Sequence, residues 1–498
     1  MLIKTKPTPI NTNHDTEEIL TDQVISDIKK KSVSGAFSYF LRTIFLQGLG
    51  LISIFLLSAF FNPEDFGVYG YVVQIIGLLI FFSDLGLAAA LVQKKKAPSL
   101  TDYRTAFTVQ QLLSWLIVLV VLIIYATGIV QRTVGHQGVL ILMALAISFP
   151  LASLKTISSI QLERELKFSL LIVPQIFEQV TFNGILLYFA WKGMGATAYA
   201  WAILVRSILG TVVMLIIKPW KIGFAFNKQS FKEMLNFGAK FQINDFLARI
   251  KDQLFFIVLG QVLPLTQFGY IQWAKNWSMY PYNLTVQNVM AITFPTFARL
   301  QKRKDLLKKA LEKSVFFISL LIFPILAGMC LLIVPLTRVI PQYEKWQPAV
   351  FSFIAFAASV SWASISTPMV NALNAIGKIN TSLKLMIIWT ILTWILTPIL
   401  LLMAGFNGVA LAALIISFTS VLSVKYVQKY IAVDVWNQVW RQLIATLVMI
   451  IVGFFLQPMA SLSIIKFLFS AVVMGASYLF ILLIIARDKL MTEIKSLR

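Results

Sequence analysis

Asp245, Arg249 and Asp252 follow i, i+4, i+7 spacing, so on a helix they share one face. Lys240 and Lys251 stand beside them in the same apolar stretch. Ionisable groups at membrane depth cost several kcal/mol and turn toward water or protein rather than lipid. Such a face suits a cavity wall that meets an anion or a coupling cation. It equally suits an internal ion-pair ladder that only makes the helix insertable. Arg42, Lys155, Arg206 and Lys275 place further cations inside apolar stretches, and Asp84 and Glu178 place two further acids. Each acid could pair with a nearby cation or hold a proton or a sodium ion. Seven deep cations against four deep acids leave an excess of three positive charges. A cavity lined that way attracts a polyanion and repels cationic drugs. The Arg fork in particular matches the oxygens of a phosphate. Beside Lys275 stand Trp273, Trp277, Tyr280 and Tyr282, with Pro281 as an expected kink. Their rings could stack on sugars, or simply populate a membrane interface. Lys384 and Lys466 sit near the ends of their stretches, where the ammonium snorkels to an interface.

These residues need apolar helices to carry them, and the chain is built of little else. Of 498 residues, 58% are hydrophobic and 13% charged, which excludes an ordinary soluble enzyme. Fourteen spans of membrane length are expected, near 36–60, 67–92, 104–126, 138–161, 168–191, 195–217, 237–260, 267–296, 314–335, 347–372, 379–404, 407–432, 439–457 and 463–486. Roughly 30 of the 43 basic residues fall in every second gap; only Arg132, Lys192, Arg338 and Lys345 fall in the others. Lys and Arg are retained on the cytoplasmic side, so both termini are expected inside.

The pattern also repeats. Gly35-Ala36 precedes Phe66-Gly67 as Gly238-Ala239 precedes Phe268-Gly269, and each Phe-Gly follows a proline, Pro63 or Pro264. An offset of six spans keeps both halves the same way round. The fold class expected is an all-α integral membrane protein: two six-helix lobes related by a pseudo-two-fold axis along the membrane normal, plus two C-terminal helices. Residues 1–33 form a cytoplasmic tail without a cleavable signal pattern, 34–217 the N-lobe and 237–433 the C-lobe. Residues 434–498 hold the last two spans and a cytoplasmic end. The basic joint at 218–236 reads as an amphipathic helix on the inner membrane surface.

Other chemistries are excluded. The net charge of +22 belongs to loops facing an anionic leaflet, not to nucleic-acid binding. One cysteine, Cys330, allows no internal disulfide, and His14 and His136 are too far apart for a metal site. No metal or cofactor is expected beyond a coupling proton or sodium ion. Gly377-Lys378 lacks the upstream glycine of a phosphate loop, since position 372 is Ala. Outer gaps of roughly ten residues leave no room for the catalytic loop of a membrane glycosyltransferase or polymerase.

Three stretches together resemble the Wzx-type polysaccharide flippases of the MOP superfamily, in the branch of colanic and teichuronic acid exporters. They are Pro63-Glu64-Asp65-Phe66-Gly67, Ser83-Asp84-Leu85-Gly86-Leu87-Ala88-Ala89-Ala90-Leu91-Val92-Gln93, and Gln161-Leu162-Glu163-Arg164-Glu165-Leu166-Lys167-Phe168. The resemblance implies a non-enzymatic flippase of the bacterial inner membrane. It would move an undecaprenyl-diphosphate-linked oligosaccharide to the outer leaflet, with polysaccharide polymerase, glycosyltransferases and membrane lipids as partners. It also implies cavity-facing first-helix arginines in the two lobes, which carry onto Arg42 and Arg249. Arg164 is expected at a cytoplasmic gate or interface. A cation-coupled drug exporter of the same superfamily is the alternative.

Overall fold

The computed structural model describes residues 42–94 and 96–495, without the side chains of residues 81, 237–252, 292 and 494–495. Its helices are α1 (Arg42–Phe60), α2 (Pro63–Leu79), α3 (Leu87–Gln93), α4 (Leu100–Ala126), α5 (Ile129–Arg164), α6 (Phe168–Trp191), α7 (Thr197–Ile217) and α8 (Lys228–Val262). There follow α9 (Leu265–Leu300), α10 (Lys304–Val339), α11 (Val350–Ala375), α12 (Ile379–Ala404), α13 (Asn407–Phe418), α14 (Val421–Gln428), α15 (Val435–Ala460) and α16 (Ile464–Lys495). A 3-10 segment, Pro341–Ala349, joins α10 to α11. Among the described residues eleven helical segments are long and apolar enough to cross a membrane. The other three expected spans coincide with α2–α3, α8 and α9. Calling the Lys- and Arg-rich gaps the basic end, the turns at Pro63 and Pro264 lie at the opposite end.

Each motif has a local physical cause. Asp65 accepts the Asn62 N–H at 2.8 Å, closing the start of α2 behind Pro63, and its other oxygen takes the Ala196 N–H at 2.7 Å ahead of α7. One carboxylate thus serves two helix starts. Phe66 is buried edge-on to Trp346, 5.1 Å between ring centres. At Gly67, α2 crosses α9. A β-carbon there would land on the Leu265 carbonyl, and one on Gly269 would land on the Pro63 carbonyl. The two glycines of the repeat therefore face each other, each making room for the other's helix.

The expected span 67–92 is not one helix. After α2 the chain makes a 3-10 turn through Ile80–Ser83, and Leu85 (φ 50°) and Gly86 (φ 77°) then take left-handed conformations before α3. Asp84 accepts the Ala88 N–H at 3.2 Å and the Gln110 amide at 2.5 Å, so it terminates the break. At the other end of α3, the Arg164 guanidinium donates to the carbonyls of Leu91, Val92 and Lys94 at 2.7, 2.9 and 2.9 Å. An acid and an arginine hold the two ends of a seven-residue helix.

Of the amphipathic helix expected at 218–236, only the part from Lys228 onward is helical. The chain is non-helical to Asn227, whose side chain then caps α8 at Gln229 and Ser230. Pro219 lacks an N–H, and the backbone is instead pinned to α4 and α5. Thr108 Oγ1 accepts the Ala225 N–H, Thr105 accepts the Asn227 N–H, and Trp220 donates to the Leu154 carbonyl. Ile222, Phe224 and Phe226 still point outward. The expected last span of the C-lobe, 407–432, is likewise divided into α13 and α14 by a turn at Thr419 and Ser420.

One continuous apolar core runs through both halves, from α2, α5 and α7 across α9 to α11. Outside it, large apolar side chains stay exposed, Leu402 at 90% and Ile465 at 76%. Water would penalise such a belt, whereas hydrocarbon does not.

Candidate functional site

Three of the expected residues meet where α5, α6 and α7 pack together. The Lys155 ammonium forms an ion pair with Glu178, and the two side chains keep 24% and 22% of their exposure. Glu178 lies against Gly210, where any β-carbon would collide with its carboxylate. Arg206 is one turn before Gly210 on the same face of α7, with its guanidinium 4.9 Å above the Phe182 ring. Tyr69 and Tyr199 stack nearby at 3.7 Å. Two cations and one acid share this place, leaving one net positive charge. Among the described residues no carboxylate forms an ion pair with Arg206.

Arg42 opens α1 and is half-buried. Asp84 is away from this cluster, engaged at the α3 break. The side chains of Lys240, Asp245, Arg249, Lys251 and Asp252 lie outside the described residues, although their backbone runs within α8. Among the described residues no three metal-ligating side chains come together.

Lys275 is parted from the aromatics expected beside it. Its ammonium is 3.8 Å from the centre of the Phe256 ring, in a cavity of about 470 Å³ whose aromatic lining includes Trp389 and Trp394. Trp273 is a correction to the sugar-stacking reading: it is fully buried and stacked on Trp346 at 4.8 Å and 7°. Its indole N–H donates to Ser58 Oγ at 2.8 Å, and Trp277, also buried, donates to the same oxygen at 3.4 Å. Helical spacing sent these rings to a different face from Lys275. Tyr280 instead packs against α1 at Gly50.

Around Ser58 the sequence reading missed a structural node. The 3-10 segment sends Tyr343, Lys345 and Trp346 to the carbonyls of Phe55, Ala59 and Ser58 at 2.6, 2.8 and 2.7 Å. The last carbonyls of a helix lack partners within it. Two of those of α1, at Ser58 and Ala59, are satisfied here by side chains from the other half of the sequence. The available signal was a Tyr-x-Lys-Trp run in a gap otherwise poor in charge.

A family model described as a polysaccharide biosynthesis protein matches residues 56–351, more than half the chain. The chain belongs to the polysaccharide biosynthesis protein family. This polysaccharide biosynthesis protein is similar to the lipopolysaccharide biosynthesis protein WzxC of Escherichia coli, 22% identical over 411 residues, which covers 79% of this chain and 80% of WzxC. It is also similar to the teichuronic acid biosynthesis protein TuaB of Bacillus subtilis, 25% identical over 254 residues, covering 49% of this chain and 51% of TuaB. Its fold matches that of the lipid II flippase MurJ in an inward closed conformation, with a TM-score of 0.70, 19% identity, and coverage of 90% of this chain and 99% of MurJ. An inward-facing MATE-family multidrug transporter of the MOP superfamily matches at a TM-score of 0.58 and 13% identity, covering 77% of this chain and 96% of that one. This member of the polysaccharide biosynthesis protein family is thus a multi-pass membrane protein with a fold shared by MurJ and the MATE-family transporter.

Proposed function

We propose that this chain moves an undecaprenyl-diphosphate-linked oligosaccharide from the cytoplasmic to the outer leaflet of a bacterial inner membrane, with both termini cytoplasmic. The single observation that carries this reading is the set Lys155, Glu178 and Arg206. The residual exposure of Lys155 and Glu178 supports it: ionised groups in an apolar span favour water over lipid, and we read that exposure as facing the transport path. A net positive wall draws in a diphosphate, and Arg206 offers it a planar fork. The sugars follow through the wet cavity while the polyprenyl tail stays in lipid. Alternating access between the two halves completes the passage, with Asp245, Asp252, Asp84 or Glu178 as sites for a coupling proton or sodium ion. Arg42, Lys240, Arg249, Lys251 and Lys275 complete the proposed cationic lining. Glycosyltransferases would supply this substrate and a polymerase consume it.

Reconstitution in liposomes tests the reading. Wild type should carry a lipid-diphosphate oligosaccharide across the bilayer, and Arg206→Ala and Arg42→Ala should lose at least about tenfold in rate, the loss of one charge-assisted contact. Wild type that moves no such lipid, but expels an organic cation against a sodium or proton gradient, is a drug exporter instead.

A further inference from the structure

We propose that the C-lobe cavity holding Lys275 is a saccharide site, built to accept hydrogen bonds from a sugar's hydroxyl groups. It lies between α8, α9, α11, α12 and α13, and its volume of about 470 Å³ is in the range of small-ligand pockets. On α12, Trp389, Thr390, Thr393, Trp394 and Thr397 turn toward it. Ile387, Ile391, Ile395 and Ile399, at four-residue spacing, turn outward and stay exposed. The hydroxyls of α12 are thus gathered on its inner face, the side that meets the cavity.

The direction of the hydrogen bonds defines the ligand. Thr390 and Thr393 donate to the carbonyls of Met386 and Trp389 at 2.7 and 2.8 Å. Ser417 donates to Leu414 at 2.6 Å, Ser278 to Lys275 at 2.9 Å, and Ser359 and Ser366 to Ala413 and Ala363 at 3.0 Å. Six lining hydroxyls have therefore already used their only proton. Thr390, Thr393 and Ser359, which stay partly exposed, keep lone pairs that accept, and the Lys275 ammonium donates, in a wall otherwise mostly apolar. The Trp389 indole N–H is spent on Thr419 at 3.0 Å. A ligand that complements such a wall brings O–H donors, and apolar C–H faces for the tryptophans. A sugar ring has both.

The assignment rests on the flippase reading only for where the sugar comes from. Ligand-observed saturation-transfer NMR on the full chain in nanodiscs tests it, with glucose and permethylated glucose as probes. The two share a ring and its acceptors, but the second has no O–H donors. Glucose should bind, and permethylated glucose should bind at least about tenfold more weakly, the worth of one hydrogen bond of about 1.4 kcal/mol. Thr393→Val, with its melting temperature within a few degrees of wild type, should weaken glucose several-fold. Equal or tighter binding of permethylated glucose means a merely apolar cavity and overturns the proposal. So does an unchanged affinity in Thr393→Val, or no glucose binding at all. Any of these alongside intact movement of the lipid-linked oligosaccharide leaves the flippase reading standing.

Discussion

The Arg164 guanidinium lies 2.7 Å from the carbonyl oxygen of Leu91, a residue 73 positions earlier. Through it, the motif after α5 holds the end of the motif that contains α3. Arg164→Ala should remove a charged donor from three carbonyls and cost about 2 kcal/mol. Arg164→Lys should recover only part, because one ammonium lacks the planar fork. Thermal melts in detergent check this. An alanine variant as stable as wild type would show that the bonds contribute nothing.

Gly67 and Gly269 make a prediction about backbone approach. Alanine at either position would drive a β-carbon into a facing carbonyl that belongs to a helix and cannot swing aside. The crossing must open, at a cost of about 1–3 kcal/mol or more. Gly48→Ala and Gly184→Ala meet nothing within 4 Å and should leave the melting temperature at or above that of wild type. Folded yield and melting temperature of the four variants measure the contrast.

Lys155 and Glu178 should behave as a coupled, partly exposed pair. Lys155→Met leaves Glu178 without its partner and should cost about 1–3 kcal/mol, the loss of a partly exposed charged bond. Lys155→Met with Glu178→Leu should regain most of it, because no lone charge remains. Unfolding midpoints for the four corners of the cycle give the coupling; additivity would mean that the pair is not energetically coupled.

At the basic end, Glu165 accepts from Lys167 at 2.8 Å and Lys218 at 2.5 Å. These bonds favour the ionised form and hold its carboxyl below the ordinary value of 4.5. The folded state therefore binds the proton more weakly than the unfolded chain. The contribution is fully present above pH 4.5 and is lost as pH falls below it, toward the depressed folded value. Glu165→Gln should lower the melting temperature slightly at pH 7 and not at all at the acid end of that window. The group is well exposed, so high salt should shrink the difference. A pH-independent gap would mean that packing, not charge, is responsible.

Residues set in a row were enough to place this chain in a membrane. Apolar runs, alternating basic gaps and the Phe66-Gly67 and Phe268-Gly269 echo depend only on local composition, and insertion reads local composition. Asp245, Arg249 and Asp252 could be put on one face because a helix has a fixed period, but period alone does not say what that face meets. Partners depend on which helix lies across. The sequence held Glu178 open as a pair or an ion site, and the packing of α5 on α6 and α7 made it the partner of Lys155. Trp273 and Lys275 are two residues apart, yet a helix turns them to different neighbours: Trp346 for one, Phe256 for the other. Asp84 looked like a buried charge and is the cap of a helix break, because Leu85 and Gly86 take left-handed angles that no periodicity announces. Ser58 gave no sign of its role, since its partners come from residues more than 200 positions away. Insertion into the bilayer is decided residue by residue along the chain; the pairing of charges, caps and rings is decided only when distant helices meet.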